Sequence, residues 1–188
     1  MRIYIKWGLI VFVVIAGLII LLNITGKFFV TELVQNVILL GAEEKTALQP
    51  AGGKRAPYFN LPDLSGRRVA SSDALTKPMV LLFWTTWNNA SVDQLAVLDT
   101  YVNKQESLPF AVFTVNSQED AATVKNFIRR GEYRLPVLLD ERGALTEQYQ
   151  ARTLPATYFI GADGFIKDVV VGVMSEQELT VRVKKANP

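Results

Sequence analysis

The stretch from Met79 to Val102 constrains the fold most. "MVLLFW" (79–84) is an unbroken apolar run without alternation, the pattern of a strand covered on both faces. After the polar turn "TTWNNAS", residues Val92, Leu95, Ala96, Leu98 and Val102 recur at helical spacing, which predicts a helix over 91–105. A buried strand running directly into a helix is the unit from which α/β domains are built.

The same rhythm continues downstream. "FAVFTVN" (110–116) reads as a strand, "EDAATVKNFIRR" as a helix stopped by Gly131, "LPVLLD" as a short strand and "GALTEQYQ" as a short helix. "ATYFIGADGFIKDVVVG" predicts a hairpin turning at Ala162-Asp163-Gly164. Ser175 to Glu178 fits a capping box opening a last helix. Upstream, "YFNLPDLSGRRVASS" suggests two short strands about Ser65-Gly66. Residues 57–188 therefore read as one α/β domain with a mixed sheet.

The N-terminal part has a different character. From Trp7 to Gly26 the chain carries no charge, and roughly 20 such residues can cross a hydrocarbon core as a helix. No clean small-x-small cleavage site follows, so residues 1–27 read as an uncleaved single-span anchor rather than a signal peptide. Arg2 and Lys6 before the span, against Lys27 alone after it, place the N-terminus in the cytoplasm and the domain outside the cell membrane. Residues 28–42 have an amphipathic pattern (Phe29, Val30, Leu33, Val34, Val37, Ile38), open to two readings: a helix continuing the anchor or lying in the interface, or a docking helix for a membrane partner. "EEKTALQPAGGKRA" (43–56) reads as a linker.

Absences narrow the chemistry. The chain has no Cys and no His. Thiol–disulfide exchange needs a thiolate, Ser/His/Asp systems need their imidazole base, and zinc or copper sites are built mainly from these two residues. No metal site and no cofactor is expected. The formal charge of +2 comes entirely from the first 41 residues, so nothing points to nucleic acid. Paired acids such as Asp140-Glu141 read as surface charge.

Four segments, "RAPYFNLPDLSGRRV", "VLLFWTTWNNAS", "LPVLLD" and "TLPATYFIGADGFIKDVVVG", occur in the order and spacing of one known group. Over roughly residues 56–186 the chain resembles the TlpA/ResA branch of the thioredoxin superfamily, related to the AhpC/TSA redoxins. The resemblance implies a thioredoxin-like α/β fold behind a transmembrane helix and, in the family, extracytoplasmic thiol–disulfide exchange, in some members serving cytochrome c maturation. It also places the family's Trp-Cys-x-x-Cys on Trp87, Asn88, Asn89, Ala90 and Ser91. Both cysteines are replaced, by Asn88 and Ser91, and the polar residue found six positions earlier in the wider superfamily is Leu82 here. Asn and Ser favour helix N-caps, so Asn88, Asn89 or Ser91 is expected to cap the following helix. Leu154-Pro155 matches the family's cis-proline, which predicts a cis bond retained for the fold or for peptide binding. Trp84 and Trp87 are each either core or groove residues.

No catalytic residue is assigned. The expected role is a non-catalytic protein that binds a protein client or extended peptide in a groove formed by Trp87, Asn88, Asn89, Ser91, Leu154 and Pro155. The alternatives are a structural subunit acting through residues 7–42, and a thiol–disulfide oxidoreductase, which the lack of cysteine disfavours.

Overall fold

The computed structural model describes residues 53–74 and 77–186. Among these no helix is long and apolar enough to cross a membrane. The expected anchor, the amphipathic segment 28–42 and most of the 43–56 linker lie outside the described residues.

A short antiparallel pair, β1 (Asn60–Pro62) and β2 (Arg68–Ala70), precedes the main sheet. Its turn passes through Gly66 at φ +86°, a backbone conformation that glycine adopts without steric cost. The main sheet has five strands: β3 (Met79–Trp84), β4 (Ala111–Ser117), β5 (Val137–Asp140), β6 (Ala156–Ile160) and β7 (Ile166–Val171). Their spatial order is β5-β4-β3-β6-β7. β3 pairs parallel with β4, and β4 with β5; β6 runs antiparallel to both β3 and β7. The expected mixed sheet is therefore present, with β3 at its centre.

The unbroken apolar run of β3 divides by its period of two. Val80, Leu82 and Trp84 enter one core with Leu95, Leu98, Val124, Ile128, Leu179 and Val183. Leu81 and Phe83 enter the other with Val115, Leu145, Tyr149 and Tyr158. The first core is contributed by three helices, α1 (Asn89–Asn103), α2 (Ala121–Arg130) and α4 (Glu176–Ala186), and the second lies under α3 (Ala144–Gln148). Both faces of the central strand are covered, so a polar residue anywhere along it would be desolvated.

Helix starts follow side-chain capping. Asp120 accepts from Thr123 N–H at 2.9 Å to open α2. Ser175 and Glu178 exchange hydrogen bonds, the expected capping box at α4. α1 begins three residues earlier than a Ser91 cap would place it, because Asn88 has the extended backbone of a cap and its Oδ1 accepts from Ser91 N–H at 3.1 Å. Asp140 is not a surface charge. It is buried, and its Oδ2 accepts from both the N–H and the hydroxyl of Thr146, satisfying the first turn of α3 that Gly143 cannot cap.

The last residues of the expected linker already belong to the domain. Gly53 N–H donates to Ile166, Ile166 N–H to Lys54, and Ala56 N–H to Gly164, so the chain enters along the β6–β7 hairpin.

Candidate functional site

The turn from β3 to α1 is built on side chains that leave few backbone groups free. Asn88 is a two-ended bridge. Its Oδ1 caps α1, while its Nδ2 donates to the carbonyl of Leu154 at 3.1 Å, across 66 positions of sequence. Leu154 precedes Pro155, and the peptide bond between them is cis, as expected. The carboxamide thus joins the helix N-terminus to the cis-proline loop at the position where the resemblance places the first cysteine.

A second tie lies on the other side of the turn. Glu119, half-buried, accepts from Thr86 N–H at 2.7 Å, from the Thr86 hydroxyl, and from Asn116 Nδ2 at 2.7 Å. It fixes the backbone immediately before Trp87 to the end of β4. Held between these two ties, Trp87 projects outward and is 73% exposed. Trp84 is fully buried beside Phe127 and belongs to the core.

Trp87, Asn88 and Leu154 line one groove of about 690 Å³, together with Arg152 and Thr153 from the proline loop and Gln118 from the end of β4. Its polar floor is ordered. Asp140 accepts the Thr146 hydroxyl proton at 2.7 Å, so in the 2.8 Å contact between Thr146 and Ser117 the Ser117 hydroxyl must be the donor. Ser117 Oγ is left with lone pairs, which makes it an acceptor on the groove floor.

The expected groove residues separate on this geometry. Trp87, Asn88 and Leu154 come together on the lining. Asn89 is exposed but does not line the groove, and Pro155 is buried. Ser91 is fully buried in the first turn of α1, and its Oγ has no hydrogen-bond partner among the described residues. A serine with neither a base nor solvent access is not a nucleophile. Leu82, where the resemblance places the superfamily's polar residue, is fully buried among core side chains. Among the described residues no cluster of acids is suited to hold a metal ion.

Glu119, Ser117 and Thr146 were not foreseen from the sequence, since each acts through a partner on another element. A second concavity of about 630 Å³ lies between β2 and β5, lined by Phe113 and Leu135 to Leu138. Its arginines are turned onto their own hairpin, Arg67 onto Asp63 and Arg68 onto Asn60.

Known proteins resemble this chain in sequence and fold. The chain is 26% identical over 136 residues to the thiol-disulfide oxidoreductase ResA of Bacillus thuringiensis subsp. konkukian, covering 72% of this chain and 79% of that protein. It is 29% identical over 130 residues to the thioredoxin-like protein YneN of Bacillus subtilis, covering 68% and 75% respectively. Among solved structures, the exposed lipoprotein thioredoxin Etrx1 of Streptococcus pneumoniae superposes with a TM-score of 0.62 at 27% identity, over 69% of this chain and 99% of that one. The AhpC/TSA family model matches residues 52–169. The chain belongs to the AhpC/TSA family, in its TlpA/ResA-like thioredoxin-fold branch, and contains no cysteine.

Proposed function

We propose that this protein is a membrane-anchored, extracytoplasmic member of its family that works by holding an extended polypeptide segment rather than by thiol chemistry. The observation that carries the reading is Trp87, 73% exposed on the rim of the groove that also contains the Leu154 backbone. A large aromatic side chain left in solvent beside a groove is characteristic of binding anchors. The Leu154 N–H has no partner among the described residues, and its neighbours Arg152 and Thr153 are exposed. An extended chain laid along this edge can pair with main-chain groups while Trp87 packs on one of its side chains.

Redox turnover is absent from the reading because the chain has no thiol to form the mixed disulfide. Extracytoplasmic location rests on the uncharged N-terminal run and its flanking charges. By family analogy, the setting is assembly of cytochromes c or other redox proteins at the membrane.

The test is a fluorescence-anisotropy titration of dye-labelled carboxymethylated α-lactalbumin, a permanently unfolded polypeptide, with the full chain in detergent. Anisotropy rises and saturates as the full chain binds, and Trp87→Ala weakens binding roughly 30-fold or more, as loss of a hot-spot aromatic does. Saturable binding unaffected by Trp87→Ala, or none at all, refutes the reading.

A further inference from the structure

The residue that replaces the first cysteine does more than fill its place. An extended chain pairing with residue 154 would use two main-chain groups, accepting from the Leu154 N–H and donating to the Leu154 carbonyl. The structure treats these two groups differently. The N–H is unpartnered among the described residues, whereas the carbonyl already receives a hydrogen bond from Asn88 Nδ2 at 3.1 Å. That donor is a carboxamide N–H, chemically the same group as a peptide N–H. The protein's own amide therefore marks where a client's amide fits.

We infer that Asn88 is a specificity-determining residue that competes with the client for the Leu154 carbonyl, so that only a segment able to exchange its backbone N–H for the Asn88 amide pairs fully with the groove edge. This rests on the peptide-binding reading above. Exchange replaces one amide–carbonyl hydrogen bond by another, and the client gains nothing net at that position. Groove affinity is set by Trp87 and the open Leu154 N–H, with Asn88 holding it below what the free edge would give. A segment with proline at the pairing position has no N–H to offer and cannot displace the carboxamide.

Removing the competitor without removing the helix cap isolates the effect. Asn88→Ser retains an acceptor for Ser91 N–H but is too short to bridge to Leu154; Asn88→Asp retains the cap and replaces the donor by an acceptor. Dye-labelled carboxymethylated α-lactalbumin is titrated with the full chain in detergent, following fluorescence anisotropy. Asn88→Ser is expected to bind roughly two- to tenfold tighter than wild type, the worth of one net hydrogen bond. Asn88→Asp, with its cap intact and the carbonyl likewise released, is expected to bind at least as tightly as wild type.

The outcomes separate the claims. Tighter binding by Asn88→Ser supports the competition. Wild type and Asn88→Ser binding equally overturns it while leaving the binding reading intact. Weaker binding by Asn88→Ser, with the domain still folded and unfolding cooperatively in urea, shows that Asn88 contacts the client directly and also overturns it. No binding by either protein overturns the binding reading and the competition with it.

Discussion

Replacing Asn88 by alanine removes two hydrogen bonds that have different jobs, and the structure predicts how the loss divides. The cap to Ser91 N–H is worth about 1 kcal/mol, the usual cost of an N-cap to alanine change. The bond to the Leu154 carbonyl contributes about 1 kcal/mol more, as a net intramolecular hydrogen bond does. Asn88→Ala should therefore destabilise the domain by about 2 kcal/mol, equivalent to a fall in midpoint of about 4–8 °C for a chain of this size. Asn88→Ser keeps the first contribution and should lose only about 1 kcal/mol. Equilibrium unfolding in urea measures both, with the fully buried Trp84 as the internal probe. The slope of the transition should not change, because neither variant alters the surface exposed on unfolding. If Asn88→Ala lies within about 0.5 kcal/mol of wild type, the two-ended bridge does not hold the turn and the reasoning fails.

Three further outcomes follow from the same structure. Wild-type chain should reduce insulin disulfides no faster than dithiothreitol alone, whereas the double variant Asn88→Cys, Ser91→Cys should exceed that rate. Ser91 is buried without a partner, so a thiol replaces its hydroxyl at little cost, and the N-terminus of α1 favours the thiolate of the other; a folded double variant with no turnover would show that more than the sulfur has gone. On acidification, the carboxyls of Asp120 (bonded by the Thr123 hydroxyl and N–H) and Glu178 (bonded by the Ser175 N–H and hydroxyl) are held below the ordinary carboxylate range. Their folded pKa values are depressed, so the stabilisation is complete above about pH 4 and is lost as pH falls through the folded values; urea midpoints that stay constant from pH 5 to pH 2 would contradict this. Finally, a single cysteine placed at exposed Arg129 in this otherwise cysteine-free chain should be labelled on intact cells by a membrane-impermeant maleimide. Labelling only after lysis would place the domain in the cytoplasm.

How much of this was legible in the sequence depended on how local the cause was. β3 was readable because an apolar run with no alternation has one economical placement, the centre of a covered sheet. The capping box at Ser175 and the hairpin turn at Asp163-Gly164 were readable because their partners lie within three residues or so. The cis bond at Leu154-Pro155 came from resemblance rather than from any local pattern. The site itself was harder. Asn88 could be suspected as a cap from its type and place, but its second bond reaches a carbonyl 66 positions away, which only the pairing of β3 with β6 brings near. Glu119 offered no signal, since its role is set by the parallel register that puts Trp84 beside Asn116. Asp140 was misread as surface charge because its desolvation is compensated by Thr146, a partner six residues on that no periodicity points to. Ser91 was a candidate cap for a good local reason, and lost the role because Asn88, three residues earlier, starts the helix, so that the Asp93 and Gln94 N–H groups a Ser91 cap would serve already lie inside it.

The central claim is that an extended polypeptide occupies the groove between Trp87 and Leu154. The most direct measurement is an amide-correlation NMR titration of the isotopically labelled full chain in detergent with carboxymethylated α-lactalbumin. The account predicts shifts concentrated on the Trp87 indole N–H, the Asn88 side-chain amide and the Leu154 backbone N–H. Shifts confined instead to Leu135, Val137 and Leu138, or absent at saturating polypeptide, would contradict it.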